Sequence, residues 1–244
     1  MNVVVLGATS AIAEQVARLY AARGAGLLLV GRKAVRLEAI AADLRVRGAA
    51  RVEVRALDLD DLAAHGSLAA DADALLGPVD LVLLAQGALG DPTAYAADPG
   101  AAAAVLHTNV TAPASLLTAF TARMAPRRAG SLVVIGSVAG DRGRGSNYAY
   151  GAAKGGLALF AQGLRNRWDR SGLHVLTVKP GFVDTPMTAH VPKNLLFASA
   201  EQVAAGIVRA ADARRDIVYL PWFWRWIMMV VRAIPERMFK RLDL

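Results

Sequence analysis

Val3-Val4-Val5-Leu6-Gly7-Ala8-Thr9-Ser10-Ala11-Ile12-Ala13 runs from a wholly apolar stretch through a turn of small residues into a segment with helical spacing. Four consecutive apolar residues suit a strand buried on both faces, as in a parallel sheet covered by helices. The pattern then repeats along the chain. Gly26–Val30, Val52–Ala56, Asp80–Leu84, Ser131–Ile135, His174–Val178 and Ile217–Leu220 read as strands, separated by alanine-rich stretches of helical period. Residues 1–220 are predicted to form one α/β domain, a doubly wound parallel sheet of about seven strands with helices on both faces. Two regions break the rhythm: 185–200, read as a loop or short helices over a site, and 221–244, read as an apolar and basic helical extension.

Composition narrows the function classes. The 244 residues are 55% hydrophobic and 20% charged, enough apolar material for a well-buried core. A formal charge of +8 invites a nucleic-acid reading. The basic residues are scattered singly, however, with no run interleaved with stacking aromatics, so no nucleic-acid partner is expected. With no cysteine there is no disulfide, thiol nucleophile or thiolate metal site. His65, His107, His174 and His190 lack ligand spacing, so no metal is expected. The first apolar run is too short for a signal peptide, which leaves the cytoplasm as the expected location.

The turn at Gly7, Thr9, Ser10, Ala11 and Ile12 lets backbone amides approach a pyrophosphate at a helix N-terminus. An ordinary tight turn would read the same. The second strand runs into Gly31-Arg32-Lys33. An acidic residue there would hold ribose hydroxyls, whereas a cation suits a ribose 2′-phosphate. Arg32 and Lys33 therefore favour NADP(H) over NAD(H), against the reading of a solvated basic loop. Asp58 and Leu59 follow the third strand, where an adenine would lie, although helix capping accounts for Asp58 equally well.

Ser137 is followed thirteen positions later by Tyr150, and Lys154 comes four further on. Ser137 stands just past a strand's carboxyl end, where sites in open α/β sheets collect. Tyr150 and Lys154, one helical turn apart, share a face. A free tyrosine titrates near pH ~10 and is a poor base at neutrality. A neighbouring ammonium favours the phenolate, and a shift of about three units corresponds to about 4 kcal/mol. Lys154 and an oxidised nicotinamide are expected to supply this together, with Ser137 bonding the substrate oxygen.

These features resemble the short-chain dehydrogenase/reductase family, over nearly the whole chain. The resemblance implies a Rossmann-like fold, a homodimer or homotetramer, and hydride exchange between NADP(H) and a carbonyl or secondary alcohol. It assigns Tyr150 as general acid and base, and Lys154 to the nicotinamide ribose as well. Asn109, in Thr108-Asn109-Val110, takes the place of the family's asparagine, which holds a water near the lysine. Pro180, Gly181, Val183 and Thr185 match the segment that contacts the nicotinamide. Two departures stand out: alanines at 11 and 13 where the family has glycines, and Ala85-Gln86-Gly87 where its fourth strand ends Asn-Ala-Gly.

Pro221 to Val231 is unusually apolar, with Arg225 and Arg232 falling together on a helical wheel. A second short helix is expected from Pro235 through Leu242. The tail reads in three ways: packing on the domain or a partner subunit, peripheral membrane contact, or a wall for a long apolar substrate. With Lys179 to Thr188 it is similar to reductases of decaprenylphosphoryl 2-keto-pentose, which implies a bulky or lipid-linked sugar substrate. His190 and Lys193 could meet a phosphate or simply be solvated. The competing functions are a sugar-nucleotide epimerase or dehydratase and a non-catalytic NADP(H) sensor or scaffold.

Overall fold

The structure is a computed structural model, and it describes residues 1–189 and 191–242. Seven parallel strands form the main sheet: β1 (Asn2–Leu6), β2 (Gly26–Gly31), β3 (Arg51–Ala56), β4 (Leu81–Leu84), β5 (Ser131–Ile135), β6 (His174–Pro180) and β9 (Ile217–Leu220). Their order is β3-β2-β1-β4-β5-β6-β9. The chain starts in the middle and winds outward in both directions. This puts the switch point between β1 and β4, where a crevice opens at the strands' carboxyl ends.

Strand residues alternate between two cores, because side chains on a strand point to opposite faces in turn. Val3, Val5, Leu27 and Leu29 pack under helices Ala11–Ala21, Ala34–Val46 and Ala200–Asp212. Val4, Leu6, Leu28 and Val30 pack under His65–Leu76, Ala112–Met124 and Tyr148–Trp168. Burial on both sides is why these strands read as continuous apolar runs. Each buried leucine is worth about 2 kcal/mol in transfer free energy.

The stretch 185–200 is more ordered than its sequence suggests. It carries a short 3₁₀ turn at Pro186–Thr188, and the pairs β7 (Val183–Asp184) and β8 (Ala198–Ser199) make a small parallel ladder. Two-residue strands leave no periodicity to read. Ser199 and Gln202 then form a capping box that starts the helix Ala200–Asp212. The tail helix runs from Trp224 to Ala233, and the following one is confined to Glu236–Phe239, shorter than expected.

Candidate active site

At the carboxyl end of the sheet lies a cleft of about 1110 Å³. Its floor is Gly7 to Ile12, with Ala85, Gln86 and Gly87 beside them. Gly7 has φ +82°, and a Cβ there would stand 2.8 Å from the Gln86 amide nitrogen. Only glycine permits that approach. The Ser10 side chain does not cap the following helix, so amides of its first turn keep their donors for an anion. Arg32, Asp58 and Leu59 line the same end. Asp58 also accepts from the Asp60 amide at 3.1 Å. The donor set suits a dinucleotide's pyrophosphate: Ala11 lines the cleft, and the first-turn amides carry no side-chain cap from Ser10.

Past β5, Ser137 accepts from the Ala139 amide at 3.1 Å and opens a 3₁₀ turn, Val138–Asp141. That turn presses backbone against backbone on the helix bearing Tyr150 and Lys154. A Cβ on Gly140 would stand 2.5 Å from the Gly155 nitrogen and 2.6 Å from the Lys154 carbonyl carbon. This seam fixes Ser137 relative to Tyr150 and Lys154, and all three line the cleft with Pro180, Gly181, Val183 and Thr185.

Electrostatics departs from expectation. Burial pushes the Tyr150 phenol above its ordinary value, and the Ser137 hydroxyl offsets this only in part. Lys154 is itself pulled down to about 8 by burial. Its Nζ donates to the Ile135 carbonyl at 3.2 Å and lies 5.8 Å from the centre of the Tyr150 ring. Desolvation by burial therefore sets the direction of the Tyr150 shift.

The family model for short chain dehydrogenases matches residues 1–195. The chain belongs to the short-chain dehydrogenase family. It is 41% identical over 240 residues to an uncharacterized oxidoreductase of Mycobacterium tuberculosis, covering 98% of this chain and 96% of that one. It is 30% identical to the cis-4-hydroxycyclohexanecarboxylate dehydrogenase of Sinomonas cyclohexanicum, with 89% and 87% coverage. A short-chain dehydrogenase from Sphingobium yanoikuyae in complex with NADPH superposes with a TM-score of 0.82 at 25% identity, covering 96% of each chain. This short-chain dehydrogenase is therefore an NAD(P)-dependent oxidoreductase acting on CH–OH groups.

Two expected residues of the dehydrogenase do not line the cleft. Lys33 precedes the helix Ala34–Val46 and is exposed to solvent, while Arg36, one turn on, faces the cleft and pairs with Glu14 at 2.7 Å. Asn109 is fully buried in a π-helical turn, His107–Thr111, an irregularity common at functional sites. Its Nδ2 donates to the carbonyls of Ala88 (2.8 Å) and Val105 (2.9 Å), and its Oδ1 accepts from the Ala88 amide at 3.3 Å. Asn109 thus clamps the chain beyond β4. A Cβ on Gly87 would stand 2.8 Å from Asn109 Oδ1 and 3.0 Å from Lys154 Nζ, so both groups close on that bare Cα.

Asp60 and Arg144 gave no sequence signal. Asp60 gathers Gln86 Nε2 (2.6 Å), the Thr108 hydroxyl (2.7 Å) and, through its carbonyl, His107 Nε2 (2.9 Å). Arg144 lines the cleft half-buried, its pKa lowered by desolvation, with no ion-pair or hydrogen-bond partner among the described residues. Phe182, Met187, Val191 and Trp224 add apolar wall. Asn147 Oδ1 and Trp224 Nε1 are buried there without hydrogen-bond partners among the described residues. Lys193 is taken up by an exposed ion pair with Asp184, and His190 lies outside the described residues.

Proposed function

We propose that this dehydrogenase prefers NADP(H) and exchanges hydride with a bulky, largely apolar carbonyl or secondary alcohol that carries an anionic group. A phosphorylated, lipid-linked keto-sugar is one such compound. The observation that carries the reading is the single cleft itself. One end is bare backbone with Arg32 beside it, and the other has apolar walls with the unpartnered Arg144. A lone guanidinium in a desolvated site suits a carboxylate or phosphate. The Sinomonas relative, named for a hydroxycyclohexanecarboxylate, is in keeping with a ring alcohol bearing a carboxylate. Cytoplasmic location and homo-oligomeric assembly belong to the same reading.

A dinucleotide held at that end would supply the hydride and, when oxidised, a positive ring. In reduction, the Tyr150 phenol gives its proton to the carbonyl oxygen, and burial keeps that phenol protonated at neutral pH. In oxidation it takes the proton back. Ser137 donates to the same oxygen as charge develops on it. Lys154 would hold ribose hydroxyls and add positive charge beside the phenol, while Asn109 keeps the chain beyond β4 in place. Ketones matched in size but differing in charge, offered with NADPH and NADH, test this reading. Tyr150→Phe should lower kcat by about a thousandfold on any substrate found while leaving NADPH affinity nearly unchanged. Turnover that survives the substitution would remove Tyr150 as the proton donor.

A further inference from the structure

The tail helix Trp224–Ala233 is apolar on two opposite sides. Its inner side, Trp224 and Met228 with half-buried Ile227 and Val231, packs in one cluster with Val138 and Phe182. Outside, Trp222, Trp226, Met229 and Val230 are 72, 53, 56 and 62% exposed. Within the helix, Trp226, Met229 and Val230 are three and four residues apart and share one stripe, with exposed Trp222 in the turn just before it. Exposed Arg225 and Arg232 lie together along one flank of that stripe, so the solvent side of the helix is part apolar and part basic. The helix is also firmly held. Arg142 donates to the carbonyls of Arg232 (3.0 Å) and Ile234 (2.9 Å), pairs with Glu236 (2.8 Å) and lies 4.1 Å from the centre of the Phe239 ring.

Charge decides what covers the stripe. Residues 221–242 hold Arg225, Arg232, Arg237, Lys240 and Arg241 against Glu236 alone, and Glu236 is already paired with Arg142. A second copy meeting this face about a two-fold axis would set like charges against each other. Anionic headgroups would match them, at about 1 kcal/mol for each cation near the surface. Tryptophans suit the headgroup level. Ten residues make a helix about 15 Å long, which lies along an interface, and among the described residues no helix is long and apolar enough to cross a membrane.

We propose that the outer stripe of this helix docks the dehydrogenase on the surface of an anionic bilayer. Trp224 lines the cleft from the inner side of the same helix, so docking brings the substrate end within about one helix diameter, ~10 Å, of the lipid. This goes beyond the proposed reaction and stands without it.

The test is sedimentation of the full chain with vesicles of phosphatidylcholine, alone or mixed with phosphatidylglycerol. Binding to the anionic mixture should be about tenfold stronger and should weaken as salt rises. Trp222→Ser with Trp226→Ser and Met229→Ser should abolish binding while keeping the melting temperature and NADPH affinity. No preference for anionic vesicles, or equal binding by the variant, overturns the proposal. So does light scattering that shows a dimer which the variant dissociates. Loss of NADPH binding in the unaltered protein would instead count against the functional reading.

Discussion

The two ends of the cleft are built on different principles. The proposed cofactor end is made of backbone: Gly7, the amides after Ser10, and the strand end at Ala85 to Gly87. The proposed substrate end is made of side chains delivered from far along the chain, with Phe182 and Val191 from the segment after β6 and Trp224 from the tail. Backbone surfaces follow from local turn geometry and recur wherever the fold does. Side-chain surfaces depend on which distant segments meet, and that is where one dehydrogenase can differ from another.

The sharpest break between the ends comes from Arg32→Glu. It should lower NADPH affinity by about thirtyfold while leaving NADH affinity and the choice of carbonyl substrate nearly unchanged. Equal loss for both cofactors in fluorescence titrations would mean that Arg32 does not read the 2′-phosphate. Trp224→Leu should act on the opposite end. KM for a bulky ketone is expected to rise about tenfold, with kcat for a small ketone and NADPH affinity retained and a stability loss of about 2 kcal/mol. An unchanged KM would take the tail helix out of the substrate wall.

A smaller effect sits where the ends meet, at Lys154. Its pKa is depressed to about 8 by burial, so the charged form dominates below that pH. The Tyr150 phenol, shifted upward, stays protonated across the same range. Reduction measured as kcat/KM should therefore fall about fourfold between about pH 7 and about pH 8.5 as Lys154 loses its proton. For stability the sign is opposite. A base with a depressed folded pKa penalises the fold fully below about 8, and the penalty is relieved as pH rises toward its ordinary value of 10.5. Lys154→Met should then raise stability at neutral pH, by up to about 3 kcal/mol, with the gain fading in alkali. Denaturant unfolding at about pH 7 and about pH 10 checks both the size and the direction.

Several elements were readable from the residues alone. Both-sided burial makes residues 3–6, 27–30, 81–84 and 132–135 apolar without interruption, so these strands show in any window of the sequence. The turn after β1 and the helical-turn spacing of Tyr150 and Lys154 are local as well. β7 and β8 were not legible, because two residues carry no period. Lys33 and Arg36 were exchanged, because which basic residue faces the cleft depends on the direction in which the helix after β2 sets out.

The sequence by itself determined where most strands lie, the small-residue turn after β1 and the types of the cleft residues, since each is set by neighbours within a few residues. Tertiary structure alone decided that Asn109 grips Ala88, that Gly140 and Gly155 touch, and that Arg142 reaches some ninety residues to hold the tail. It also decided which side of the tail helix is buried, since both sides carry apolar side chains. Contacts between distant segments depend on how whole elements pack, and no local pattern records that.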